Sequence, residues 1–272
     1  MKRYPTTLII AGSDSGGGAG IQADLKTCAA LGVYAATAIT AVTAQNTQGV
    51  RAIEAIDPHI VRQQIEAVLE DFTIDSIKIG MLCNMAIANA VADVLTQCHI
   101  PIILDPVMVS TSGCTLLERS AIDIIVKRLF PIAEIITPNI NEAELLTATT
   151  IHNSSQITTA AQHLLGLGCN AVLMKGGHLP DSMATDYLVL PDREEIFSSP
   201  FIDTRNTHGT GCTLSSAIAA YRALGLPLID AVKHAKEYLH HAILQGADVQ
   251  CGHGHGALNH TYNPRPLIPI EY

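Results

Sequence analysis

The residues His208-Gly209-Thr210-Gly211-Cys212 run directly into TLSSAIAAYRAL at 213–224, a stretch of helix-forming composition. Small residues let a turn bring backbone N–H groups close to an anion. The helix that follows points the positive end of its dipole at the same place. A cysteine at that helix N-terminus is expected to have a lowered pKa, and so to be ready to take a proton. Together these features suit phosphoryl transfer, with Gly209 and Gly211 opening the backbone to the moving group and Cys212 acting as its base. Taken alone, the pentapeptide also reads as an ordinary helix-capping loop.

A second set of polar residues falls where short apolar runs end. Gly12-Ser13-Asp14 follows the first run, Asp105-Pro106 the fourth, Asn139 with Glu142 the fifth, and Lys175-Gly176-Gly177 the sixth. Two carboxylates converging at strand ends suggest a divalent cation, and Asp105 and Glu142 suit Mg²⁺, which keeps waters and shares phosphate oxygens. Lys175 would meet phosphate as a point charge. The plainer alternatives are a local cap for Asp105 and a surface lysine for Lys175. The N-terminal stretch GSDSGGGAG at 12–20 has neither the acidic residue about 20 positions on that a dinucleotide fold wants nor the GK[ST] of a P-loop. It reads as a substrate-side wall, with Asp24 on the first turns of the helix after it.

These residues need a scaffold, and the chain alternates strand and helix patterns. Apolar runs at 7–11, 33–44, 76–82, 100–107, 134–138 and 170–176 are bounded by Gly, Pro, Asn or Asp, as buried parallel strands are. Helical patterns lie at 19–31, 58–70, 85–95, 117–129, 155–165, 212–224 and 227–244, and 186–201 reads as an edge hairpin around Pro191-Asp192. No linker or repeat interrupts them, and the tail from 251 looks irregular. The expected architecture is a single domain over 1–272, a three-layer α/β/α sandwich around a mostly parallel, doubly wound sheet. Ligands in such a fold bind at the carboxyl ends of the strands.

Composition agrees with one large buried core: of 272 residues, 48% are hydrophobic, 15% charged and only 4% aromatic, with no Trp. The net charge of −9 without a Lys/Arg run argues against nucleic acid and anionic membrane as partners. No apolar run approaches the roughly 18–20 residues of a membrane span. Seven scattered cysteines with no CxxC favour free thiols in a reducing compartment, and a cytoplasmic location is expected.

GSDSGGGAGIQADLKT, TAVTAQNT, IKIGML, LDPVMV, TPNINEAELL, LMKGG and HGTGCTLSSAIAA occur in this order over about 8–244. In these motifs the chain resembles the hydroxymethylpyrimidine/phosphomethylpyrimidine kinase family of thiamin biosynthesis, within the ribokinase-like superfamily. The resemblance implies that ATP and Mg²⁺ serve to phosphorylate 4-amino-5-hydroxymethyl-2-methylpyrimidine and then its monophosphate. Pyridoxal or pyridoxine phosphorylation on the same fold is the alternative. By the same resemblance, Gln45 would hydrogen-bond the aminopyrimidine, with Gly12 and Asp24 beside it. Val42, Met81 and Val107 would wall the pocket, although core packing would equally explain them. Asn139 and Glu142 would lie near Mg²⁺ and phosphate, and Lys175 and Thr210 would face ATP. A homodimer is expected. The 109–117 stretch VSTSGCTLL is similar to the family's flap but has Cys114 where an acidic or small residue would be expected. His253, His255 and His260 in the tail offer a metal-binding alternative to a GHG pattern that the family shares.

Overall fold

A computed structural model describes residues 1–109, 113–176 and 182–271. Parts of the flap-like stretch (110–112) and of LMKGG (Gly177) therefore lie outside the described residues. The organising strand is β2 (Thr6–Asp14), after a short β1 (Lys2–Arg3). Leu8 and Ile10 of β2 enter one core cluster while Ile9 and Ala11 enter another, as the period of two requires. A strand apolar on both faces needs a helix layer on each side.

Strands β3 (Tyr34–Asn46), β5 (Ser76–Ile79), β6 (Ile102–Leu104), β7 (Ile135–Ile136) and β8 (Val172–Lys175) continue the sheet in parallel. Antiparallel β4 (Gly49–Ala55) closes one edge, and the hairpin β9 (Met183–Val189) with β10 (Glu194–Pro200) closes the other. The order is β10-β9-β8-β7-β6-β5-β2-β3-β4. Helices α1 (Gly20–Ala30), α7 (Thr210–Ala223) and α8 (Leu228–Leu244) cover the Ile9 face. Helices α2 (Pro58–Asp71), α3 (Met85–Leu95), α4 (Arg119–Ile124), α5 (Ile140–Thr147) and α6 (Ser154–Leu165) cover the Leu8 face. The expected three-layer, doubly wound architecture is the one that forms.

Several local boundaries differ from the sequence reading. The runs at 100–107 and 134–138 contract to three and two strand residues. Pro101, Pro106 and Pro138 have no N–H to give to a ladder. The segment after Asn46 returns as β4, and α5 occupies a stretch read only for its chemistry. α4 passes into a π turn at Ile125–Leu129 and a 3₁₀ turn at Phe130–Ile132 that contains Pro131. The tail is largely irregular, although β11 (Ile270–Glu271) pairs with β1.

Candidate active site

Parallel strands put their carboxyl ends on one side of the sheet, and the polar residues singled out in the sequence meet there. Asp105 follows β6 and is 1% exposed. Its Oδ1 accepts hydrogen bonds from Lys175 Nζ at 2.8 Å and Thr137 Oγ1 at 3.0 Å, and its Oδ2 accepts from Ser215 Oγ of α7 at 3.3 Å. Burial alone would push the Asp105 carboxyl up, but Lys175 and Lys78 outweigh it and hold the group below the ordinary carboxylate range. Lys175, at the last position of β8, is raised in turn: burial opposes its charge, and Asp105 and Glu142 more than restore it.

Gly209 is the N-cap of α7 with φ +88°, a left-handed conformation that glycine adopts freely. A Cβ at Gly209 would lie 1.8 Å from Gly18 O, so the turn and the N-terminal glycine loop interlock. A Cβ at Gly211 would meet Lys175 Nζ at 3.2 Å and Asp105 Oδ2 at 3.6 Å. The opening of α7 thus lies directly on the lysine–carboxylate pair, where its unpaired amides and dipole favour an anion.

Cys212 lies in the first turn of α7, half-buried, where Gly20 of α1 supplies a backbone hydrogen bond. Its expected lowered pKa is overturned. Burial pushes the thiol up to about 11, and Asp24 and Asp105 add to the rise against the opposing pull of Lys78. At neutral pH this cysteine is a thiol.

Asn139 and Glu142 form a capping box at the start of α5. Glu142 N donates to Asn139 Oδ1 at 2.9 Å, and Asn139 N donates to Glu142 Oε2 at 2.8 Å. Burial lifts the Glu142 carboxyl to about 7, with Asp105 adding to the rise and Lys175 opposing it. Among the described residues no group of three or more His, Cys, Asp or Glu side chains is placed to hold a metal, and the tail histidines form no such group. The donor set fits a cation that arrives on phosphate oxygens better than one caged by protein. Of the two carboxylates expected at Mg²⁺, Asp105 is paired with Lys175 at 2.8 Å, and Glu142 feels the same lysine against the burial that raises it.

The substrate-side candidates divide. A Cβ at Gly12 would meet Met81 Sδ at 3.2 Å, so these two pack together, and Met81 is 7% exposed. Val42 is 46% exposed opposite Ser13, and Val107 is half-buried beside Asp105. Gln45 Oε1 accepts from Thr43 Oγ1 at 3.2 Å, and its Nε2 lies 3.4 Å from His208 Nε2. Asp24, expected beside the substrate, is instead fully buried in an ion pair with Lys78 at 2.8 Å, so its carboxylate has no surface for a ligand.

Sequence reasoning assigned no role to His208, Asp14 or Lys78. His208 Nε2 donates to Asp14 Oδ2 at 2.9 Å, and the same carboxylate accepts the amides of Gly16, Gly18 and Ala19. Burial would raise the Asp14 carboxyl, but these bonds hold it below its ordinary value. The dyad joins the glycine loop to the turn that opens α7. Lys78 had a legible signal, since a lysine inside the buried strand SIKI needs a partner.

A sequence profile described as phosphomethylpyrimidine kinase matches residues 14–259. The hydroxymethylpyrimidine/phosphomethylpyrimidine kinase of Rhizobium meliloti (strain 1021) is 48% identical over 256 residues, covering 94% of this chain and 96% of its own. The crystal structure of phosphomethylpyrimidine kinase from Clostridium difficile 630 is similar at a TM-score of 0.78 and 45% identity, over 88% of this chain and 99% of that one. An ADP complex of Bacillus subtilis pyridoxal kinase reaches a TM-score of 0.86 at 32% identity, over 94% and 97%. Backbone shape therefore does not separate the two activities, whereas identity favours the pyrimidine kinases. With nearly its whole length matched at these identities, the chain belongs to the phosphomethylpyrimidine kinase family.

Proposed function

We propose that this kinase transfers the γ-phosphoryl group of ATP to the hydroxymethyl group of 4-amino-5-hydroxymethyl-2-methylpyrimidine, and then a second one to the resulting monophosphate, in thiamin biosynthesis. The observation that carries this reading is the meeting of Gly211, Lys175 and Asp105 at the open end of α7. In the first step the hydroxyl oxygen forms a bond to phosphorus, the bond to the ADP oxygen breaks, and the hydroxyl proton is released. In the second step the nucleophile is a phosphate oxygen that already carries charge. Phosphoryl transfer asks chiefly for positioning and charge neutralisation. Lys175 and the amides of residues 209–212 supply both, and Thr210 and Asn139 flank them toward ATP. Mg²⁺, held by Asp105 and Glu142 directly or through water, would neutralise phosphate charge when bound.

Gln45 supports the pyrimidine reading. The His208 Nε2–H points to Asp14 Oδ2 and stays on the ring, so the Gln45 amide hydrogens remain available to a ring nitrogen and Oε1 to an exocyclic amine. Gly12, Met81, Val42 and Val107 line the approach. A coupled assay of ADP release with the hydroxymethylpyrimidine, its monophosphate and pyridoxal side by side tests the assignment. Turnover of both pyrimidines above pyridoxal is expected, and a preference for pyridoxal would replace this reading with the second one. We also read the chain as one kinase domain over 1–272 that works in the cytoplasm as a homodimer. Seven cysteines outside any disulfide support the compartment, and the edge strand β4 beside exposed Val42 supports the pairing. Sedimentation equilibrium tests the dimer.

A further inference from the structure

Strand β5 reads Ser-Ile-Lys-Ile, and its alternation sends Ile77 and Ile79 into the core under α2 and α3. Lys78 must then enter the opposite layer, between α1 and α7. It has no exposed surface and is the largest wholly buried side chain among the described residues. Its Nζ donates to Asp24 Oδ2 at 2.8 Å, and Asp24 Oδ1 accepts from Ser216 Oγ at 2.5 Å. Space for the ammonium is kept by Gly80, where a Cβ would come within 2.8 Å of Nζ. Ser216 stands one helical turn after Cys212, and the adjacent Ser215 donates to Asp105. A buried ion pair is a poor stabilising device, since apolar residues of similar volume often serve as well. Its position here has a better explanation.

We propose that Lys78, held by Asp24, is a positioning residue for phosphoryl transfer. Through Asp24 and Ser216 it fixes the opening turns of α7, the helix that begins at residues 209–212. The inference rests on the placement of the phosphoryl site at those residues. Complete burial keeps Lys78 from touching any substrate, so its effect must pass through Asp24 and Ser216 to α7.

The test combines Lys78→Met with Asp24→Asn, which removes both charges and keeps an acceptor for Ser216. The double variant is expected to melt near the wild-type temperature. Its kcat should fall roughly tenfold for both pyrimidines with each KM within about twofold, a weaker echo of losing a direct transition-state donor. A wild-type kcat, or a loss confined to KM, overturns the proposal. If the double variant has no cooperative melt, Ser216→Ala decides, since it keeps both charges and cuts only the tie to α7. A several-fold loss of kcat there supports the proposal and an unchanged kcat overturns it. Gly211→Val in parallel checks the site itself: full activity in that variant would remove the phosphoryl site from α7 and the proposal with it.

Discussion

Replacing Cys212 by alanine deletes one thiol and leaves the amides, the dipole of α7 and the Lys175–Asp105 pair in place. With the thiol near 11, ionising it at pH 7 lies about four pKa units uphill, equivalent to about 5 kcal/mol. Only about one molecule in 10⁴ would then hold a thiolate. A general base is most effective when its pKa is near the working pH, where it contributes about 10²–10⁴-fold. A loose phosphoryl-transfer transition state also asks little of a base. Cys212 is therefore expected to shape the phosphate cradle without taking the hydroxyl proton. Cys212→Ala should lower both phosphorylations by similar factors, below about tenfold against the range expected for a base. The assay is single-substrate kinetics with the hydroxymethylpyrimidine and with its monophosphate, from pH 6.5 to 9. If the alanine variant loses the hydroxymethyl step selectively, by about a hundredfold or more, the reasoning is refuted. It is equally refuted if the wild-type rate of that step alone rises tenfold per pH unit.

Gln45→Leu should raise the KM for the hydroxymethylpyrimidine through a lost buried hydrogen bond of about 1–3 kcal/mol, read by steady-state kinetics; an unchanged KM would remove Gln45 from the pocket. Gly209→Ala combines a left-handed backbone with the 1.8 Å overlap on Gly18 O. It should lower the melting temperature by several degrees and abolish turnover, as thermal melts and the coupled assay would show. His260 Nε2 is hydrogen-bonded with Thr213 Oγ1 at 3.0 Å, and burial, helped by Lys26, lowers its pKa from 6.5 to about 4. Its unfolded form therefore binds a proton first as the pH falls. The stability from neutral His260 is complete above about 6.5 and lost toward 4, by about 2 kcal/mol between pH 7.5 and 5. Urea titrations at the two pH values should show a shallower loss for His260→Gln, and identical losses would count against the argument.

The strand–helix alternation and the identity of the chemistry were legible because both rest on local pattern, although β4 and α5 were not. Apolar runs ending in Gly12, Asp105, Asn139 and Lys175 mark strand ends, and in a parallel sheet all such ends share one side. HGTGC before a helix-forming stretch reads as a turn suited to an anion from backbone chemistry alone. The protonation state of Cys212 was not legible. A helix N-terminus predicts a lowered pKa from sequence neighbours, whereas the actual value depends on burial and on Asp24, Asp105 and Lys78, which come from distant segments. Asp24 shows the same limit, since its place in a glycine-rich motif pointed to substrate and the packing of α1 against β5 and α7 turned it inward to Lys78. The sequence by itself determined which groups could carry phosphate chemistry and on which side of the sheet they gather. Only the tertiary structure decided which of them face the site and which are neutralised beneath it, because burial and through-space charge act between residues that the chain order keeps apart.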